Sequence, residues 1–371
     1  MVASSKDLKA PVADEAPMPK AADDPRGALF SRLTQLAMTP GNGLDAAQSA
    51  SIDISLTDLV GTVSPPLRAR VAETIATAPI PLPRLVGALA RDEIEVARPI
   101  LRTSPALDDD TLIDLVTEAS PAHRLEIASR PGLGARVTSQ IVEQGDLELI
   151  EAVAANESAA FTPKSLDRMA RLSETRPGLS QPLLSREGLP TLSAHRMFWW
   201  VTGPLREHIL RHHVVDIRDL RRLLSEAVDQ GLIDGTAAGS IDHVLATMMR
   251  HTRAPTSDLL TILRRGSLPA FVEALGEGLG TDRETARRIV EDNGGEAVAV
   301  ACRALDADRG QFTSIFLLLD YLRFGKARPA AHLMKISSIY DRVPHARAAA
   351  SVVLWTAVTQ GDAQDLKIDR S

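Results

Sequence analysis

The chain is punctuated at a fixed interval. Pro79, Pro105 and Pro131 stand 26 residues apart, in the similar figures "ATAPIP" (76–81), "RTSPAL" (102–107) and "ASRPGL" (128–133). The apolar positions between them keep the same step. Val63, Leu89, Leu115 and Ile141 form one column, and Ile75, Leu101, Ile127 and Val153 form another. A unit of this length has space for two helices of roughly 8 to 11 residues joined by turns of about 2 to 8 residues. Helices so short are not stable alone. Each must lay its apolar stripe on its neighbours, so the repeat predicts helical pairs stacked into a solenoid. The prolines end the preceding helix, because the residue before a proline is driven out of the α region. Four units cover 55–158, the fourth with Glu157 where the proline would stand. Pro99 falls inside the second helix of its unit, where it either kinks that helix or delays its start.

Outside the periodic stretch the reading is coarser. Residues 1–26 are rich in Ala, Pro, Asp and Lys without periodicity and read as a disordered tail. "ALFSRLTQLAM" (28–38) then spaces its apolar residues as a helix. Beyond 158 the period slips. "FTPKSLDRMARLSETRPGLSQPLLSREGLP" suggests a longer fifth unit, and "SAHRMFWWVTGPLREHILRHH" a sixth unit or terminal cap. From about 214 the columns are lost. "RDLRRLLSEAVDQG", "SIDHVLATMMRH", "TSDLLTILRRG", "SLPAFVEALGEGLG" and "TDRETARRIVEDNGG" read as successive amphipathic helices with polar starts, "EGLG" and "DNGG" being helix stops. Thr281 and Glu284 have the spacing of a capping box. "EAVAVACRAL", "QFTSIFLLLDYLRFG" and "ASVVLWTAV" are more uniformly apolar and predict buried helices. No strand-like alternation appears. The expected class is all-α: a solenoid of short helical pairs over 27–213, a C-terminal helical bundle over 214–360, and a polar tail at 361–371.

Charge and cysteine content narrow the function classes. A formal charge of −6 and a pI near 5.9 give no global attraction to phosphate backbones or acidic membranes, which makes nucleic acid a minority expectation. The 35 Arg against 7 Lys, with abundant Ala, are the mark of a GC-rich coding sequence rather than of a binding purpose. Aromatics at 3% argue against a surface built to stack single-stranded bases. The single cysteine, Cys302, excludes an intramolecular disulfide framework and suits a reducing compartment. The N-terminus has acidic residues and prolines where a secretory signal needs an apolar run, and no stretch reaches the 18 or so apolar residues of a membrane span. A cytoplasmic protein without membrane contact is expected.

The segment "LPRLVGALARDEIEVARPILRTSPALDDDTLIDLVTEASPAHRLEIASRPGL" (82–133), followed by "LLTILRRGSLPAFVEALGEGLG" and "RRIVEDNGGEAVAVACRAL" (287–305), resembles the domain of unknown function 2336 family of alphaproteobacteria. The likeness covers roughly 55–325. It implies a HEAT-like helical repeat and a bacterial, alphaproteobacterial, cytoplasmic origin. It brings no catalytic residue with it.

Several residues remain as candidates. His123 shares a column with Val71, Ala97 and Leu149, which suits a core histidine bonded through one ring nitrogen, or a functional residue in the groove. In "SPAHRL", Ser120 is placed to cap the helix and Pro121 to open it. His208 and His212 are four apart with His195 and His213 nearby, but "HILRH" lacks the glutamate of a hydrolytic zinc helix, so a solvated or partner-facing cluster is expected and no metal. "MFWW" (197–200) gathers Phe198, Trp199 and Trp200. On a helix the two tryptophans diverge by about 100°, so these rings are candidate partner anchors or a cap for the solenoid. Arg283, Arg287 and Arg288 are a candidate anion site diluted by Asp282 and Glu284, surface ion pairing being the plainer reading. No phosphate loop, nucleophile elbow or dinucleotide glycine loop is present, and Cys302 lies in an apolar context that suits an inert thiol. The expectation is a non-enzymatic scaffold, without a cofactor, that binds a protein or peptide partner in bacterial signalling or regulation. The alternative is a nucleic-acid or nucleotide binder, of the HEAT-like DNA glycosylase type or one that holds a phosphorylated second messenger.

Overall fold

Three helices of the periodic stretch begin 26 residues apart, at residues 83, 109 and 135. A computed structural model describes residues 24–39, 43–78, 82–233, 256–326 and 328–368, with only the backbone of 363–368. Among these residues there are 21 α-helices and no strand, so the chain is all-α as expected. It divides into two compact units, 1–127 and 128–371. That division falls inside the periodic stretch rather than at 213/214, where the period is lost.

In the first unit the helices are α1 (Pro25–Met38), α2 (Ala46–Val60), α3 (Pro65–Ile75), α4 (Pro83–Ala90), α5 (Ile94–Thr103), α6 (Asp109–Glu118) and α7 (Pro121–Ala128), the last ending at the division. α2 packs on α4 and α3 on α5, while α1 lies against both α2 and α3. α1, α2 and α3 therefore each meet the next helix but one. The starts of α4 and α6, residues 83 and 109, are 26 apart, and in the second unit α8 (Ala135–Gln144) starts a further 26 on. All eight column residues are buried at 2% exposure or less. α1 opens at Pro25 with Asp24 as its cap, so the helix takes in the end of the stretch expected to be unstructured; residues 1–23 lie outside the described residues, as does Pro79. Pro99 does not delay α5, which starts at Ile94 and runs through it.

Short helices leave many amides and carbonyls unmet at their ends. Asp53, buried on α2, accepts from the amides of Arg84 and Leu85, each at 2.9 Å, and so caps α4, whose own N-cap residue is Leu82. Arg68 grips Asp92 with two bonds of 2.6 and 2.8 Å and the carbonyl of Val63 at 2.7 Å. Arginine recurs at helix C-termini: Arg124 donates to the carbonyls of Ala119 and Thr117 after α6, at 2.9 and 3.0 Å.

The second unit continues with α9 (Leu147–Ala155), α10 (Pro163–Leu172), a 3-10 turn at Pro177–Leu179, α11 (Ser180–Leu184), α12 (Thr191–Met197), α13 (Gly203–His212) and α14 (Leu220–Asp229). Asn156 donates through Nδ2 to the carbonyls of Ala128 and Arg130, at 2.9 and 2.8 Å, which ties two successive inter-helix loops together. "SIDHVLATMMRH" lies outside the described residues. The chain resumes as α15 (Thr256–Arg264), α16 (Leu268–Leu279), α17 (Arg283–Glu291), α18 (Glu296–Ala304), α19 (Arg309–Phe324), α20 (Ala330–Arg342) and α21 (His345–Ile368). Two expectations are corrected here. Asp282, not Thr281, caps α17: its carboxylate accepts from the Thr285 amide at 2.9 Å, while the Thr281 hydroxyl meets that of Thr356 at 2.6 Å. A charged acceptor one residue closer to the helix takes the cap. And residues 361–371 are not a polar tail throughout, because α21 extends to Ile368.

α21 is central to this unit. α12 and α18 pack against it, and Val353, Leu354, Ala357 and Val358 share a core with Leu220 and Leu224 of α14. Gly361 is buried, and a Cβ there would lie 3.3 Å from the Ile233 side chain. Asp362 follows it and pairs with Arg196, which is 1% exposed, and with Arg171 at 3.2 Å. Asp167 completes the cluster, 3.0 Å from Arg171 and 3.5 Å from Arg196. Polar residues at the end of the sequence thus fold inward because buried arginines await them.

Two outcomes follow from these contacts. Asp362→Ala removes the nearest carboxylate from a buried guanidinium, leaving it Asp167 at 3.5 Å, and is expected to lower stability by about 3 kcal/mol in urea denaturation; a loss below about 1 kcal/mol would rank the pair with exposed ones. Arg124→Lys cannot serve both carbonyls at the end of α6 and should cost about 1 to 2 kcal/mol in the same assay, whereas no change would show that water replaces the fork.

Candidate functional site: a cleft between repeat loops

A cleft of about 1060 Å³ opens in the second unit where α9 ends, α10 begins and the chain leaves α11. Thr162 caps α10 by accepting from the Ser165 amide at 3.1 Å, and Pro163 occupies the first helical turn. This fixes the preceding loop and presents Phe161 along the wall. Pro163, Gln181, Pro182, Ser185 and Glu187 line the rest. Arg186 lies with its guanidinium 4.6 Å from the Phe161 ring centre. It donates to the carbonyls of Ala159 at 3.1 Å and Ala154 at 2.9 Å, and also to that of Asn156. Burial pulls its pKa down, with Glu157 acting in the opposite sense. The cation is thus committed to backbone and ring, and the open surface is apolar and polar with the exposed carboxylates of Glu157 and Glu187 on it. Such a surface can hold a polypeptide segment by ring and proline contacts with an amide and a hydroxyl to orient it.

A second recess, about 660 Å³, lies in the first unit between α1 and α3, lined by Gln35, Met38, Arg70 and Thr74 among others.

The residues singled out from sequence sit elsewhere, mostly in the interior. His123 is 8% exposed and uses both ring nitrogens, not one: Nδ1 lies 2.8 Å from the Ser120 hydroxyl and Nε2 2.8 Å from the Asp92 carbonyl. Nε2 can only donate to a carbonyl, so Nδ1 accepts from the serine. Residues 198–200 form a turn after α12 rather than more helix, which places the rings differently from the helical expectation. Phe198 is fully buried, 4.7 Å from the Trp355 ring, and Trp199 is 5.2 Å from the same ring. Trp200 donates to the Ser173 hydroxyl at 2.9 Å. Both tryptophans are half-buried, and Phe198 has no surface to offer a partner.

The arginines of α17 are matched by carboxylates. Arg287 pairs with Glu284 at 2.6 Å and with Glu291, Arg288 with Glu284 at 3.5 Å and Asp362 at 3.9 Å, and Arg283 with Glu273 at 3.8 Å. The hydrogen bond to Arg287 holds the Glu284 carboxyl below its ordinary pKa, and Glu284 in turn raises that of Arg287. An anion at this helix would have to displace these partners. Cys302 is buried, and burial pushes its thiol up to about 12. Among the described residues no group of three or more His, Cys, Asp or Glu is placed to hold a metal ion, and no helix is long and apolar enough to cross a membrane.

The histidines do come together. His208 and His212 stack at 4.4 Å between ring centres, and His213 lies 5.9 Å from His208. His208 and His213 both bond the Leu184 carbonyl, at 3.1 and 3.3 Å. His195 is 1% exposed; its Nε2 donates to the His213 carbonyl at 2.9 Å and its Nδ1 has no partner. Burial holds it neutral, lowering its pKa to about 4, and burial also lowers that of His213. An unfolded histidine titrates near 6.5, so the unfolded chain binds the extra proton between the two values. The stability contributed is full above pH 6.5 and is lost as pH falls toward 4. His195→Gln keeps a donor for the His213 carbonyl without the titration. It should flatten the decline in urea stability between pH 7 and pH 4 by on the order of 3 kcal/mol; an unaltered slope would assign the decline to other groups.

Phe161 and Arg186 carry no motif, and only the TPK signal for the α10 cap marks their neighbourhood in the sequence. Among known proteins, no curated protein and no solved structure matches the chain. A family described as an uncharacterised protein conserved in bacteria matches residues 96–353, more than half of the sequence and across both units. The chain therefore belongs to the domain of unknown function 2336 family.

Proposed function

We propose that this chain is a non-enzymatic helical-repeat scaffold, its short pairs stacked as a solenoid, which holds an extended segment of a protein partner in bacterial signalling or regulation. The cleft beside Phe161 carries this reading. Its volume, about 1060 Å³, sits at the upper edge of the roughly 300–1,000 Å³ usual for small-molecule pockets. Its walls are loops between successive repeats, the place where repeat proteins vary while the stacked helices stay fixed. The nearest cation, Arg186, is turned to backbone carbonyls and the exposed carboxylates of Glu157 and Glu187 line the cleft, which favours an apolar or basic segment over a phosphate-bearing ligand. A reduced, buried Cys302 accords with a cytoplasmic setting.

Ser185 is an exposed residue of the cleft wall, so Ser185→Trp fills the cleft without touching the core. Panning a displayed peptide library on the full chain should enrich a short consensus rich in apolar residues, and Ser185→Trp should weaken its binding at least about tenfold, 1.4 kcal/mol. Peptides that bind both forms equally, or no enrichment at all, would refute the assignment.

A further inference from the structure

α19 presents an outer face that suits water poorly. At 100° per residue, Gly310, Ser314, Leu317, Tyr321 and Phe324 project within about 40° of one outward line, opposite the buried Phe312, Ile315, Phe316 and Leu319. Leu317, Tyr321 and Phe324 are 40%, 61% and 41% exposed. Not one residue of this stripe is charged, whereas the outer face of a surface helix is ordinarily the charged one. The stripe is also graded, with small residues at its N-terminal end and large ones at its C-terminal end. The flanks are graded in charge: Asp306 and Asp308 precede the helix, and Lys326 and Arg328 follow it.

We infer that α19 is the contact of a symmetric dimer, in which it packs antiparallel against α19 of a second copy about a two-fold axis at Leu317. In that register each residue meets the one whose number completes 634 or 635. Leu317 faces Leu317, Ser314 faces Tyr321, and Gly310 faces Phe324. Each small residue receives a large ring, which is what ridges need from grooves when helices approach to about 8–10 Å. The same register brings Asp308 of one copy to Lys326 of the other, while Arg328 stays paired with Asp320 of its own chain. It also sets the two helix dipoles head to tail. Parallel pairing would crowd ring against ring at one end and leave a gap at the other. An isologous contact must be complementary to itself, and this stripe is so in both size and charge. The exposed rings are thus accounted for by a second copy of the chain.

Analytical ultracentrifugation of the full chain over a range of concentrations tests this. A monomer–dimer equilibrium is expected, weakened by salt because the flanks pair opposite charges. Leu317→Asp puts two carboxylates against each other at the axis and should weaken the dimer on the order of a hundredfold, with an unchanged far-ultraviolet circular dichroism spectrum, since the side chain is exposed. The register has its own readout. Under mild oxidation Leu317→Cys should cross-link to itself, and Ser314→Cys should cross-link to Tyr321→Cys in a mixture, the native Cys302 being buried. A monomer at every concentration would overturn the inference and leave the face to a partner of other sequence. A dimer insensitive to Leu317→Asp, or cross-links that ignore the register, would overturn it as well.

Discussion

Helices of 8 to 11 residues cannot hold themselves together in water, and 13 of the 21 helices among the described residues are of this length. Stability has to come from the side, where one helix lies on another. That requirement explains why the 26-residue columns are buried without exception, and why in the first unit α1, α2 and α3 each rest on the next helix but one. Lateral packing is therefore the condition under which these short helices persist.

The same requirement explains the buried charges. Apolar columns fix the distance between layers but slide easily along one another. Arg68 with Asp92 in the first unit, and Arg196 with Asp167 and Asp362 in the second, each join different helices through directional bonds. Arg206 does likewise, bonding Asp292 and Glu296, while Asp292 also accepts from the amides of Gly295 and Ala297 at the start of α18. Buried ion pairs contribute little net stability against apolar packing, yet breaking one is costly. Their effect here is to penalise every register but one.

Much of this was legible in the sequence where a period existed. The columns through Leu89 and Ile75 follow from spacing alone, and so does the pairing of short helices. Past residue 158 the signal fades for identifiable reasons. Asp362 reads as a tail residue because its partners, Arg171 and Arg196, lie more than 160 positions away in the chain. Asp282 outcompetes Thr281 as a cap through charge, which a spacing rule does not weigh. The "DNGG" run, read as a stop, also opens α18: at φ +85° a side chain on Gly295 would strike the Phe316 ring at 2.5 Å, a contact no local pattern encodes. The cleft was invisible for a similar reason. Arg186 and Phe161 matter through carbonyls and loop curvature, and neither leaves a motif.

The arginine excess, explained from sequence as a bias of coding, has a structural use. A chain broken into many short helices has many C-terminal carbonyls that no amide reaches. Arg124 meets those after α6, Arg186 those after α9, Arg206 those of Trp199 and Val201 after α12, and Arg323 those of Glu291 and Asp292 after α17. In each case two or more carbonyls are held by one planar fork, a task for which the point charge of lysine has the wrong shape. The donors all lie later in sequence than the carbonyls they hold, so each clamp also ties one segment to a later one. A coding bias toward arginine and a fold of short helices are thus mutually permissive, because the one supplies the donors that the other lacks.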